Sequence, residues 1–544
     1  MIACPNCGGN VKFDIPSQQL ACEYCHGLFD PYSFDAKTSD AEEQTDEYDV
    51  TVFTCPQCGG ELLSTDNAAA AFCSFCGAST ILYSHMTKQK KPGYIIPFTK
   101  TKEDCKKAYQ EKLGRAWFAP KAFKDPAFID GFRGIYMPYW AYYFTQQGPV
   151  NFEGEQSHRS GDYIITDHYA LGGDLDAYYK GISFDASSSF ADNLSEAVAP
   201  FDVKGMKKFT AGYLSGFYAD TADVDAQIYF PEAQSIAVSN TLSQIDRTPA
   251  YHNITIKDLG NQNAASLHTE TTSIDSTMFP VWFMSYRNKD RVAYATVNGQ
   301  TGKVVVDLPI DVKKYLLGSL IGMVPLFALL CLLPTMGPTI VLLVTGILAL
   351  VGMIIYTVLL SKIASEQSEE ADRGMLSKTN PSKAVSKSYN LGHQKQAKVK
   401  TKSKSGTGAI LVTIFVAVYF ISIFAGIGSS LLGVISSSVT ASHPILWSIL
   451  GIGMIITFVI GRGKMDAIPG KESMVGYIAT AVAFLIGLIL NVVNPPYDYF
   501  YYGSAILCML AIFLNMRDVI DYYNVLSTRR LPQFDQKQGG DDRA

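Results

Sequence analysis

Hydrophobic and polar positions divide this chain into two regimes. Six apolar runs, at about 315–333, 339–360, 408–432, 445–461, 474–493 and 499–516, contain no Asp, Glu, Lys, Arg or His. Each is close to the roughly 20 residues that a helix needs to cross about 30 Å of hydrocarbon. Upstream of them the pattern is shorter and mixed. Thr101 to Asp104 has the form of a capping box and predicts a helix from about Lys102. Cys105, Ala108, Tyr109, Leu113, Ala116 and Trp117 then fall on one face at helical spacing, and Pro120 marks the stop. From about 134 to 309, short runs rich in Tyr, Phe, Ile and Val are punctuated by Gly, Asp and Ser. They predict strands at 134–144, 163–171, 227–230 and 281–286. A strand–turn–strand is predicted over 292–306, because Asn298-Gly299 suits the positive φ of a hairpin turn. Residues 191–218 read as helical in part, and Pro138-x-Trp140 and Pro280-x-Trp282 hint at an internal duplication.

Charge sharpens the division. Residues 1–312 carry a net charge of −13 and residues 313–544 one of +8. Around the apolar runs the basic residues are one-sided. Lys313 and Lys314, the loop at 361–407, the loop at 462–473 and the tail after 516 together hold twenty Lys and Arg, whereas the alternate loops at 334–338, 433–444 and 494–498 hold none. This is a positive-inside distribution, and it predicts six transmembrane helices with both termini and the polar region cytoplasmic. A wholly soluble chain, a disordered chain and a small disulfide-stapled domain are excluded. Met1-Ile2-Ala3-Cys4-Pro5 opens without the basic and apolar regions of a secretory signal.

Eight of the eleven cysteines form four Cys-x-x-Cys pairs. Cys4, Cys7, Cys22 and Cys25 have the spacing C-x2-C-x14-C-x2-C, and Cys55, Cys58, Cys73 and Cys76 repeat it 51 residues later. In a reducing cytoplasm such pairs are metal ligands rather than disulfides. Each set predicts a zinc ribbon in which two tight turns aim four thiolates at one Zn2+, with Gly after Cys7, Cys58 and Cys76 suiting the turns. A unit of about 25 residues buries too little surface to fold alone, so two structural zinc ions would supply the stability. Rival readings are a thioredoxin-type redox pair and an iron–sulfur cluster. Nucleic-acid binding is disfavoured, because residues 1–92 hold five Lys, no Arg and twelve Asp and Glu.

The cysteine units, followed by Gly93-Tyr94-Ile95-Ile96-Pro97-Phe98, Trp117-Phe118-Ala119-Pro120, Tyr136-Met137-Pro138-Tyr139-Trp140 and 297–303, resemble a family of bacterial membrane-anchored zinc-ribbon proteins. These are named for their similarity to the ribbon of transcription factor IIB, and some carry a helicase or primosomal label. The resemblance covers about residues 1–310 and implies zinc ligands at the eight cysteines. The helicase label has no counterpart here: Gly299 to Val304 lacks the spacing and the hydroxyl of a Walker A loop.

Catalytic motifs are likewise missing. There is no H-E-x-x-H, G-x-S-x-G or G-x-G-x-x-G, and Gly212 to Gly216 puts its Ser one place too late for a nucleophile elbow. His158, Asp162, Asp167 and His168 have the residue types of a metal or acid–base site, but they read first as solvated positions, as do Asp174 and Asp176. Cys105, Cys331 and Cys508 read as packed residues. The basic loop, with Lys395, Lys398, Lys400, Lys402 and Lys404, suits anionic lipid headgroups or contact with the acidic region.

The expected architecture is multidomain. It comprises a zinc ribbon at 1–30, an acidic linker at 31–50, a second ribbon at 51–92, a β-rich α+β domain at 93–312, an all-α polytopic membrane domain at 313–516 and a tail at 517–544. The expected role is a non-enzymatic scaffold or regulator at the cytoplasmic face of a bacterial membrane, with a protein partner. A transporter or channel with a regulatory ribbon domain, a nucleic-acid-binding regulator and a zinc or redox sensor are the alternatives.

Overall fold

A computed structural model describes residues 2–38, 47–64, 73–78, 83–248, 254–256, 267–330, 337–366, 372–400, 436–465 and 475–532. The scaffold of its polar region is a long antiparallel hairpin. Strand Arg133–Ser160 turns through Gly161, at φ 61°, into Tyr163–Asp185. Over its first half the 133–160 strand also pairs with Thr269–Asn288, from Arg133 opposite Phe283 to Gln146 opposite Thr269. With neighbours on both edges, this half is nearly continuous in apolar burial: Ile135, Tyr136, Met137, Tyr139, Ala141, Tyr142 and Phe144 are all buried. The outer half loses that neighbour. Val150, Phe152 and Leu171 pack on Val238 and Leu242 of helix Phe230–Asp246, and residues 157–170 project exposed.

The expected strands at 134–144, 163–171 and 281–286 lie inside these longer ones. The strand at 227–230 does not form. Asp225 caps a 3-10 turn there by accepting the Gln227 N–H, and Pro231 fits the first turn of helix Phe230–Asp246. Strands Arg291–Asn298 and Val304–Val306 do form. Their turn is longer than expected: Asn298 accepts from the N–H groups of Gln300 and Thr301, and Gly302, at φ 79°, is the residue in the left-handed region. Part of 191–218 is helical, as Asp192–Val198. The two Pro-x-Trp motifs lie on neighbouring paired strands, and both indoles donate to backbone carbonyls, Trp140 to Val224 and Trp282 to Lys100.

Helix Lys102–Gly114 begins at the expected capping box, with Thr101 and Asp104 bonded reciprocally. Cys105, Tyr109 and Leu113 are buried as expected. Its end is different. The helix stops at Gly114 with Arg115 as its cap, so the 3.6-residue register does not continue. Trp117 leaves the core face and is 79% exposed.

The cysteine-bearing segments are parts of this body. Strands Val11–Asp14, Gln19–Cys22 and Leu28–Phe29 form a small sheet tied to it by Phe13 N–H to the Ser215 carbonyl, Ser215 Oγ to the Val11 carbonyl and Gln18 to the Phe98 carbonyl. Strands Glu47–Thr54, Glu61–Ser64 and Tyr83–Lys90 join the large sheet itself, Ser64 pairing with Tyr218. Segment 31–50 contains a 3-10 helix at Pro31–Thr38 and the start of the strand at Glu47.

The apolar region is helical. Helices Val312–Leu330, Pro338–Glu366, Ser436–Met465, Val475–Val493 and Asp498–Leu526 contain or largely overlap five of the six apolar runs, and the run at 408–432 lies outside the described residues, as does Cys331. Among the described residues, three helices are long and apolar enough to cross a membrane: Pro338–Ile363, Val475–Val493 and Asp498–Leu526. They pack around Met353, Tyr356, Trp447, Tyr477, Phe484 and Cys508. Their outer faces expose Ile354, Val358, Leu485, Ile489, Leu507 and Leu510. An apolar surface of that extent fits hydrocarbon rather than water and marks membrane association. The last helix runs ten residues past the apolar run, and its Asp518 accepts the Gly476 N–H at 2.8 Å at the start of a neighbouring helix.

Candidate metal centres

Four tight turns position the eight cysteines, and they share one design. In each, the N–H of the residue after the second cysteine of a pair returns to the carbonyl of the first: Gly8 to Cys4, His26 to Cys22, Gly59 to Cys55 and Gly77 to Cys73, at 2.8–3.1 Å. The residue that follows closes the loop, as in Cys4 N–H to the Gly9 carbonyl and Cys55 N–H to the Gly60 carbonyl. Closing so short a loop needs a positive φ. Gly8, Gly59 and Gly77 adopt 70–73° at no steric cost, whereas His26 adopts 55° with a side chain. The spacing i, i+3 across such a turn brings both sulfurs to one side.

Hairpins then bring the turns together in pairs. Cys4 Sγ lies 3.5 Å from Cys25 Sγ and Cys7 Sγ 3.5 Å from Cys22 Sγ. In the second set Cys55 lies 3.8 Å from Cys76 and Cys58 3.7 Å from Cys73. Within each set all four sulfurs lie within 4.8 Å of one another. A tetrahedron of thiolates around zinc, with Zn–S about 2.3 Å, has edges of about 3.8 Å. The same distances are far beyond the roughly 2.05 Å of a disulfide, and all eight thiols are free. Both clusters therefore have the geometry to hold a zinc ion, and four protein ligands complete its coordination. Backbone N–H groups of Cys25 and Tyr24 point at Cys22 and lower its pKa, while contact with Cys4 and burial push Cys25 up.

The two centres differ in their surroundings. Cys55, Cys58, Cys73 and Cys76 are all buried, packed with Phe53, Phe75, Phe283 and Tyr294. Tyr294 donates to the Phe75 carbonyl at 2.7 Å, and Arg287 Nη1 to Gln57 at 2.6 Å. In the first cluster Cys4 and Cys22 are buried, but Cys7 and Cys25 are exposed beside the exposed ring of Tyr24.

The other residues singled out in the sequence do not assemble. His158 sits 3.6 Å from Asp167 and His168 3.1 Å from Glu155, as two separate exposed pairs on the projecting hairpin, with Asp162 at its tip. Asp174 is exposed and Asp176 accepts from Gln147. Ser215 is buried with its hydroxyl committed to the Val11 carbonyl.

A second constellation was not visible in the sequence. Helices Arg373–Thr379 and Pro381–Lys400, from the basic loop, pack on helix Phe230–Asp246 of the acidic body. Arg373 is 2% exposed. Its Nε donates to Asp192 at 2.8 Å, its Nη2 to Glu196 at 2.6 Å and its Nη1 to Glu232, while the guanidinium lies 4.8 Å from the Tyr229 ring centre. Lys378 pairs with Asp223 at 2.9 Å. Asp372 caps the first of the two helices and accepts the Asp192 N–H. Burial and the nearby Asp192 push its carboxyl up to about 7, and burial holds Asp185 well above the usual range. The opposite charge balance of the two regions was the one available signal.

Fold and sites together define a class: a β-rich body with two four-cysteine clusters able to bind metal, joined to apolar helices suited to a membrane. No family model matches the chain, and no solved structure matches it. It is similar to a protein of Bacillus subtilis (strain 168), the uncharacterized protein YdjG, at 29% identity over 316 residues. That match spans 57% of this chain and 90% of the relative.

Proposed function

We propose that this chain is an integral membrane zinc protein that recruits or organises a protein partner at the cytoplasmic face. Each four-cysteine cluster holds one structural Zn2+ as a zinc ribbon. Six helices anchor the body, with both termini cytoplasmic. The asymmetry between the two clusters carries the reading. The second is walled into the core and serves stability alone, whereas the first puts Cys7, Cys25 and the ring of Tyr24 at the surface. A closed set of four thiolates leaves zinc no free position for catalysis, which favours docking over chemistry. The one-sided distribution of twenty basic residues supports the orientation.

Crosslinking and pull-down from native membranes tests this, comparing wild type with Tyr24→Ala and Cys4→Ser/Cys7→Ser at matched abundance. A partner recovered by the wild type and lost by both variants is the expected result. Identical recovery from all three sinks the recruitment reading. Elemental analysis of the purified protein is expected to give two zinc ions per chain, and a value near zero would remove zinc from the account.

A further inference from the structure

The loop that links helix Lys102–Gly114 to the rest of the body is unlike its surroundings. Residues 102–124 carry seven Lys and Arg against three Asp and Glu, net +4, within a region of net −13. Lys102 and Lys106 are held on Asp130. Lys107, Lys112, Arg115, Lys121 and Lys124 are exposed. Trp117 stands among them, 79% exposed, with the exposed ring of Phe118 beside it. A large aromatic side chain left in water at such exposure forfeits the stabilisation of burial.

The position of this loop supplies the reason. The Phe118 carbonyl accepts the Asp311 N–H at 2.8 Å, and Lys314 Nζ donates to the Ala119 carbonyl at 2.6 Å. The Phe118 ring lies 5.2 Å from that of Tyr315 and covers Gly318, where an added Cβ would come within 2.7 Å of it. Residue 318 is six residues into helix Val312–Leu330, or about 9 Å along its axis at 1.5 Å per residue. Leu317, Leu320, Ile321 and Val324 of that helix are exposed. The loop is thus fixed at the level where the first apolar helix begins.

We propose that residues 107–124 form a membrane-surface anchor that binds anionic phospholipid headgroups, with Trp117 and Phe118 seated at the boundary of headgroups and acyl chains. Indole and phenyl rings favour that boundary, and exposed Lys and Arg around them complement a negative headgroup layer. The anchor rests on the reading that helix Val312–Leu330 enters the bilayer. It fixes the tilt of the β-rich body against the membrane, because the ring contact to Tyr315 ties body and helix at one point.

Tryptophan quenching by lipids brominated near the headgroup end of the acyl chain tests this on the full-length protein in nanodiscs. Trp140 and Trp282 belong to the β-rich body and Trp447 lies among the apolar helices, so the difference between wild type and Trp117→Phe isolates the share of Trp117. Trp117→Phe is expected to lower the lipid-dependent quenching, as an interfacial indole requires. Equal quenching in wild type and Trp117→Phe overturns the anchor. Leu320→Trp in the Trp117→Phe background reports on the helix itself. Quenching at 320 with none at 117 overturns the anchor and leaves the spanning helix intact, whereas none at either position overturns both. Arg115→Glu/Lys121→Glu is expected to lower Trp117 quenching in phosphatidylglycerol discs toward its level in pure phosphatidylcholine. Quenching that is the same in both lipids for the wild type overturns the role of headgroup charge.

Discussion

At the scale of single residues, the grouping of the eight cysteines into two clusters was the most legible feature of the sequence. A ligand pair three residues apart across a tight turn depends on local geometry alone, and the sequence shows local geometry directly. The same logic exposes an irregularity. Three of the four turns place Gly at a positive φ, but the turn after Cys25 places His26 there, where a side chain costs on the order of 1 kcal/mol. His26→Gly is therefore expected to stabilise the first cluster by roughly 0.5–1 kcal/mol, seen as slower zinc loss to a chelator. Faster loss would show that the imidazole contributes something beyond filling the turn. Trp117 illustrates the opposite case. Helical periodicity placed it on the core face, but periodicity has meaning only while the helix lasts, and Gly114 ended it.

Among elements, the deciding interactions lie far apart in sequence. Arg373 meets Asp192, Glu196 and Glu232, residues separated from it by 141 to 181 positions, and no local pattern announces such a meeting. From the sequence, the loop suited anionic lipid headgroups or contact with the acidic region. Its helix Arg373–Thr379 is set into the acidic body, where the charges are shielded from salt. Arg373→Met leaves Asp192 and Glu232 buried without their cation and is expected to cost about 3–5 kcal/mol of docking stability. Hydrogen exchange in residues 373–379 would read it, and Arg373→Met/Glu232→Gln should recover part of the loss. Proton linkage gives a second prediction. Folding raises the Asp372 pKa to about 7, so the docked form holds a proton that the undocked form releases near the ordinary value of about 4. Between those values docking weakens as the pH rises. Protection factors in the same helix, corrected for the intrinsic rise of amide exchange with pH, are expected to be higher at about pH 5.5 than at about pH 8, and Asp372→Asn to flatten the difference. A pH dependence that is unchanged in Asp372→Asn would assign it to another group, Asp185 being the nearest in character.

At the scale of the whole molecule, the two four-cysteine clusters differ in how far each is built into the body. The second cluster buries all four of its cysteines beside the central strands through Phe283 and Tyr294, whereas the first shares the core around Phe13, Tyr136 and Phe217 through Cys4 and Cys22 alone and leaves Cys7 and Cys25 at the surface. Cys55→Ser is expected to expose the amides of 133–146 to exchange throughout, and Cys4→Ser to do so to a smaller extent. Equal protection in both variants would mean that the large sheet stands without its metal. The expected list of separate modules was least legible at this scale. The sequence marks composition shifts well, but it does not show that strands on either side of a shift share one sheet, as Ser64 and Tyr218 do.

The body is also assembled from three distant parts of the chain. Strand Arg291–Asn298 is covered along one edge by Val304–Val306 and by Arg529–Arg530, which follows the last helix. Arg291 reaches the carbonyls of Val525 and Thr528, and Asn524 brackets Ile310 through its N–H and carbonyl. During synthesis, Val304–Val306 is made soon after its partner strand, but the Arg291–Val292 end of that edge waits for Arg529–Arg530, which follows the last described helix. Closure of that end thus requires the chain to be made past its helices. A nascent chain that stalls before Arg529 would leave the end of the strand open.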